Sequence, residues 1–309
     1  MLSRVAERVY WAARYLERAE NTARLLKVYT SLLYDLPDDT GISWYNLVVA
    51  SGTHVQYNER YQVRDERNVA KFLLADDSNP SAMLSSLRLV RENIRTTRDV
   101  VPPESWELIN ELYHYAGDNI QQGINRRHRR DYIDEVIKGC QQINGLIMAT
   151  MCNDDAWQML RLGRNLERAD MTTRILEAGG SMLPDILEED NAHVADVVWG
   201  AVLRSLNAYQ PYRRTMKVAV TGEDVGTFLL EDALFPRSFV YCLQQMEMAS
   251  KSLPSSDEVS KALEKISKIV KKGTDYQDPI IALPKHLNAL QLEMTSLHNV
   301  FADTWFYIE

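Results

Sequence analysis

The feature that most constrains this chain is a segment that occurs twice. LERAENTARLL at 16–26 recurs as LERADMTTRIL at 166–176, an offset of 150, with Arg14 opposite Arg164. Farther on, Trp44 falls opposite Trp199 and Tyr57 opposite Tyr212 at offset 155, and FLLADDSNP at 72–80 opposite FLLEDALFP at 228–236 at offset 156. Ordered matches at a nearly constant offset are the mark of internal duplication. They predict two multi-helix units, 1–152 and 153–309, packed about a pseudo-twofold axis as one body. A few extra residues are expected between the first two helices of the second unit.

The repeated segment is helical by its periodicity. From Leu2 to Leu33, Val5, Val9, Ala12, Leu16, Ala19, Ala23 and Leu26 recur at steps of three and four without Gly or Pro. Trp11, Tyr15, Thr22 and Leu25 widen the apolar arc, which predicts a central helix packed on several sides. It should end in the turn formers 35–41. Further helices are expected at about 43–53, 66–75, 80–99, 104–117, 130–152, 155–178, 187–208, 236–252, 257–272 and 282–306, with Asn79-Pro80 as a helix start and Gly179-Gly180 as a helix stop. Short extended pieces such as 54–64 compete only weakly. The fold class is an all-α helical bundle.

Composition narrows the function classes. A formal charge of -8 offers no general attraction to nucleic acid or an anionic membrane. The amino terminus carries Arg4, Glu7, Arg8 and Arg14 where a signal peptide would be apolar, and no 18-residue apolar run follows, so a soluble cytoplasmic protein is expected. Cys140, Cys152 and Cys242 lack metal-ligand spacing and should be reduced thiols among apolar neighbours. The only Glu-x-x-His match, Glu111 with His114, lacks the second copy that a di-iron bundle requires, so no metal is expected. No phosphate loop or nucleophile elbow occurs, and no cofactor is expected.

The candidate chemistry lies in charged residues on helices. Arg14 and Glu17 are three apart and Glu20 and Arg24 four apart, so each pair can meet across a turn, as can Arg164–Glu167 and Asp170–Arg174. The bland reading is solvated or structural pairing. The functional one brings the Glu17 and Glu167 stripes together in a guanidinium-lined cleft for a carboxylate, phosphate or peptide terminus, with either glutamate as a candidate general base. Arg18 and Arg168 fall inside the apolar arc and need a partner: a helix-end carbonyl, a neighbouring carboxylate or a ligand. Arg88, Arg91, Arg95 and Arg98 line one face in the first unit, opposite Gln244, Glu247, Lys251 and Pro254 in the second. That face is either specialised for an anionic partner or neutralised by Glu92, Asp99 and Glu104. Arg237, after Pro236, is a weaker candidate, and Arg126–Arg130 reads as a solvated loop.

Taken together, MLSRVAERVYWAARYLERAENTARLL, FLLADDSNPSAMLSSLRLVRENIR, LGRNLERADMTTRIL and FPRSFVYCL resemble the bacterial alpha-E domain family over almost the whole chain. The resemblance implies an all-helical domain of undefined biochemical function. It further implies partnership with circularly permuted ATP-grasp proteins, to which members are sometimes fused, and gene neighbourhood with transglutaminase-like proteases, hence a role in peptide or amide metabolism. One departure is Phe235-Pro236-Arg237-Ser238, where an Asn would precede the Pro, which puts helix capping there in question. The expected function is a helical accessory or binding protein for an ATP-grasp amide ligase, with a peptide as candidate ligand. An enzyme acting on a peptide or amino-acid derivative, and a homo-oligomeric scaffold, are the alternatives.

Overall fold

In a computed structural model, which describes residues 1–36, 40–182, 192–272 and 282–307, the chain is all helix, and no strand occurs among those residues. The helices in chain order are α1 (Ser3–Asp35), α2 (Tyr45–Ala50), α3 (His54–Arg60), α4 (Glu66–Ala75), α5 (Met83–Arg95), α6 (Pro103–Asp118), α7 (Ile120–Ile124) and α8 (Arg129–Thr150). They continue with α9 (Asp155–Ser181), α10 (Ala192–Ser205), α11 (Tyr209–Thr215), α12 (Gly222–Glu231), α13 (Phe239–Lys251), α14 (Asp257–Lys271) and α15 (Ala282–Trp305).

The two long repeat-bearing helices, α1 and α9, pack on each other at the centre. Small residues on both set their approach. A methyl group at Gly163 would stand 2.2 Å from the backbone oxygen of Tyr10, and Ala12, Ala13, Ala19 and Ala169 are buried in the same two helices. Around this pair, α5 and α8 cover α1, while α13 and α15 cover α9. Buried apolar side chains from both halves of the chain form one contiguous core.

Several local expectations are corrected. Helix α5 starts at Met83 rather than Pro80, because Asn79 serves the loop before it: its Oδ1 accepts from Ser81 N at 3.0 Å and its Nδ2 donates to Phe72 O at 3.1 Å. At the matching junction Ser238 is the cap, its Oγ accepting from Tyr241 N at 3.1 Å, so the departure at 235–238 does not leave the helix uncapped. Gly179-Gly180 does not stop α9. Gly179 is helical and buried, and the missing methyl makes room for Val202 Cγ2, which would lie 2.4 Å from it. Residues 54–60 form a helix, not an extended piece. The short helices α7, α11 and α12 went unpredicted. Of the expected helix 187–208, residues 187–191 lie outside the described residues.

Candidate functional site

The repeated Glu-Arg dipeptides meet where α1 and α9 cross, and they exchange partners. Glu167, 2 % exposed, receives Arg14 Nε at 2.8 Å and a forked pair from Arg18, Nε at 2.6 Å and Nη2 at 3.0 Å. In return Glu17, 1 % exposed, lies 3.0 Å from Arg168 Nε, an ion pair whose N–H is not aimed along the line between the atoms. The expected pairings of Arg14 with Glu17 and Arg164 with Glu167 within one helix are therefore corrected. Each glutamate on one helix is instead held by the other's arginine, because burial at the crossing removes water as the competing partner.

Arg237 completes the network from the loop before α13. Its Nη1 donates to Glu17 Oε1 at 2.6 Å and Asn21 Oδ1 at 2.9 Å, and its Nη2 to Glu20 Oε1 at 3.2 Å. Its own carbonyl accepts from Thr172 Oγ1 at 2.8 Å, which fixes the loop against α9. Arg24 Nη2 meets Glu20 Oε1 at 2.5 Å and Arg174 Nε meets Asp170 Oδ2 at 2.8 Å, as the four-residue spacings predicted. Arg164 stands apart: its Nε is buried without a hydrogen-bond partner among the described residues.

The electrostatics follow from this geometry. Burial by itself would raise the pKa of both glutamates; the guanidiniums of Arg168 and Arg237 beside Glu17, and of Arg18 and Arg14 beside Glu167, reverse that and hold each down to about 2. A general base would need a raised carboxyl pKa and an open cleft. Glu17 and Glu167 have neither, and the cleft drawn between their stripes is a packed charge network.

The other sequence candidates sit elsewhere. Arg91 Nε donates to Asn110 Oδ1 at 2.8 Å, and Glu92 bridges Arg91 Nη1 and Arg95 Nε, each at 3.0 Å. Arg98 stacks 3.9 Å over Trp106 of α6, so the basic face is interleaved with aromatic surface and only partly neutralised. The expected solvated loop 126–130 is corrected at Arg129, which is 2 % exposed and ties Gly123 O, Ile124 O and Glu66 together. Cys152 is exposed, unlike Cys140 and Cys242, and all three thiols are free. No group of metal-ligating side chains occurs among the described residues, and no described helix is long and apolar enough to cross a membrane. Sequence reasoning gave Arg237 too little weight; its only signal was an arginine wedged between a proline and a capping serine.

Comparison with known proteins places the chain in a family. The chain is 25 % identical over 286 residues to an uncharacterized protein of Mycobacterium bovis and to one of Mycobacterium tuberculosis strain CDC 1551, and 24 % identical to one of strain H37Rv. Each match covers 84 % of this chain and 30 % of the relative, so the chain spans under a third of the length of those relatives. No solved structure matches. Residues 1–306 match a family described as a predicted alpha-helical domain with a conserved ER motif. With Glu17-Arg18 and Glu167-Arg168 among the Glu-Arg steps of its central helices, the chain belongs to the Alpha-E family.

Proposed function

We propose that the protein is a cytoplasmic helical binding module that works with an ATP-grasp-type amide ligase in peptide metabolism, and that its buried Glu-Arg network is a framework rather than a reaction centre. The observation that carries this is the state of the two glutamates: enclosed, ion-paired and held near pKa 2, they suit rigid positioning of two helices and not proton transfer. The partner surface in this reading is the α5–α6 face, where Arg88, Arg95 and Arg98 are exposed, Arg98 stacks on Trp106, and Arg91 lies over Trp106 and Tyr113. Arginine and aromatic side chains together are the composition of interface hot spots. The length of the relatives, most of which lies outside the match, supports a module that acts beside other domains.

The same reading takes units 1–152 and 153–309 as duplicated halves about a pseudo-twofold axis. Support comes from the reciprocal Glu17–Arg168 and Glu167–Arg18 pairs. It comes also from matched details: Tyr57 and Tyr212 donate to Val63 O and Ala219 O at 2.7 and 2.8 Å, and Asp65 and Thr221 cap α4 and α12.

The test is titration of a circularly permuted ATP-grasp protein, and separately of a transglutaminase-like protease from the same gene neighbourhood, into this chain. Binding by the wild type that the Arg91→Glu/Arg95→Glu double variant weakens at least about ten-fold, more at low salt, supports the reading. Equal binding by both, or no complex with either protein, overturns it.

A further inference from the structure

One face of α9 carries more positive charge than the protein around it neutralises. Arg161, Arg164 and Arg168 are three and four residues apart and so share a side of the helix. Arg168 faces Glu17. Among the described residues Arg161 has only neutral acceptors, Gln158 Oε1 at 3.0 Å from Nη1 and Gln245 Oε1 at 2.9 Å from Nη2. Arg164 has neither an ion pair nor a hydrogen bond among the described residues, only the Trp157 ring 5.8 Å from its guanidinium carbon. Its counterpart at offset 150, Arg14, is bonded to Glu167; the equivalent place beside Glu17 is taken by Arg237. A guanidinium freed in this way has no carboxylate of its own: Glu17, which lies near enough to act on it, is already paired with Arg168 and Arg237.

We propose that Arg161 and Arg164 bind a phosphate dianion, between α9 and the Tyr241 and Gln245 side of α13. Two guanidiniums with no salt bridge among the described residues match two negative charges. A tetrahedral oxyanion offers enough acceptors to take forked donation from one arginine and a second bond from the other. Both arginines, Tyr241 and Gln245 are part-exposed, so the site is reached from solvent. The crevice lined by Arg164, Asn144, Leu16 and Ile147 has a volume of about 20 Å³, too small for the ligand, so the ligand must sit on the outer side of the two arginines. Burial, and then the neighbouring Arg168, pushes the pKa of Arg164 down to about 10, the direction an added anion would reverse. The inference is independent of any ligase partner.

The experiment is thermal unfolding of the full chain in rising inorganic phosphate, with chloride at matched ionic strength as the control. The wild type should show a saturable rise in Tm that chloride does not produce. Arg164→Gln and Arg161→Gln should each weaken the apparent affinity about ten-fold or more. Arg161 has only neutral hydrogen-bond partners, so its variant gives a folded test if Arg164→Gln does not fold. Methyl phosphate serves as the second arm. Tighter binding than inorganic phosphate assigns the site to a phosphomonoester end, and weaker binding assigns it to the free ion. No phosphate-specific rise in the wild type, or an undiminished one in Arg161→Gln, overturns the proposal.

Discussion

Replacing Glu167 by Gln tests whether the exchanged ion pairs hold the central helices together. The side chain keeps its size and loses its charge, leaving Arg14 and Arg18 facing one amide oxygen and an amide NH2 that repels their N–H groups. The cost can be worked two ways. A carboxyl moved from its ordinary 4.5 to about 2 favours the ionised, folded form by about 3 kcal/mol at neutral pH. Breaking a buried pair by removing one partner costs roughly 3–5 kcal/mol in general. With an unfolding entropy of about 2 cal/mol/K per residue, a chain of this length should lose roughly 5 °C in Tm. Helical circular dichroism during heating measures it. The pH dependence carries a sign: because the folded pKa is depressed, the stabilisation is complete above the unfolded value and is lost as pH falls from about 4.5 to about 2. The gap between wild type and Glu167→Gln should therefore be full at pH 7 and shrink at pH 3. A gap absent at pH 7, or unchanged at pH 3, refutes the argument.

Two further outcomes follow from packing and from the third arm of the network. Gly163→Ala places a methyl 2.2 Å from the Tyr10 carbonyl oxygen, against backbone that cannot swing aside, and should cost more than about 3 kcal/mol or prevent folding; a Tm within 2 °C of wild type, by calorimetry, would show that α1 and α9 can part at no cost. Arg237→Met strips Glu17 of its aligned hydrogen bond and frees the loop before α13, so urea unfolding should show a loss of about 3 kcal/mol, with an unchanged midpoint counting against the network.

The residues that were legible in the sequence are those whose signal is local. The periodicity of 3–35 and the doubled segment need only neighbours along the chain, and they yielded the long helices and the central pair. The partners of Glu17 and Glu167 did not, because a three-residue spacing to Arg14 or Arg164 fits an intrahelical pair as well as it fits a crossing. What decides between them is packing 149 residues away in sequence. Gly179 misled for a related reason: propensity reads glycine as a stop, while Val202 and Trp199 use its missing side chain as a seat. Gly163, where any side chain would collide with the Tyr10 carbonyl oxygen, carried no sequence signal at all. Helix α12 escaped because Gly222 and Gly226 lower its propensity, which the Thr221 cap and burial of Val225, Phe228 and Leu229 outweigh.

The long reach of the network sets the timing of folding on the ribosome. Glu17 waits for Arg168, and then for Arg237, which follows it by 220 residues. At about 5–20 residues per second that interval is roughly 10–45 s. Through it α1 carries a glutamate whose native partners have not yet both been made. Drying that face before its counter-charge arrives would strand the carboxylate, a cost that favours keeping it hydrated until then. The native charge network can close only after the loop carrying Arg237 has emerged.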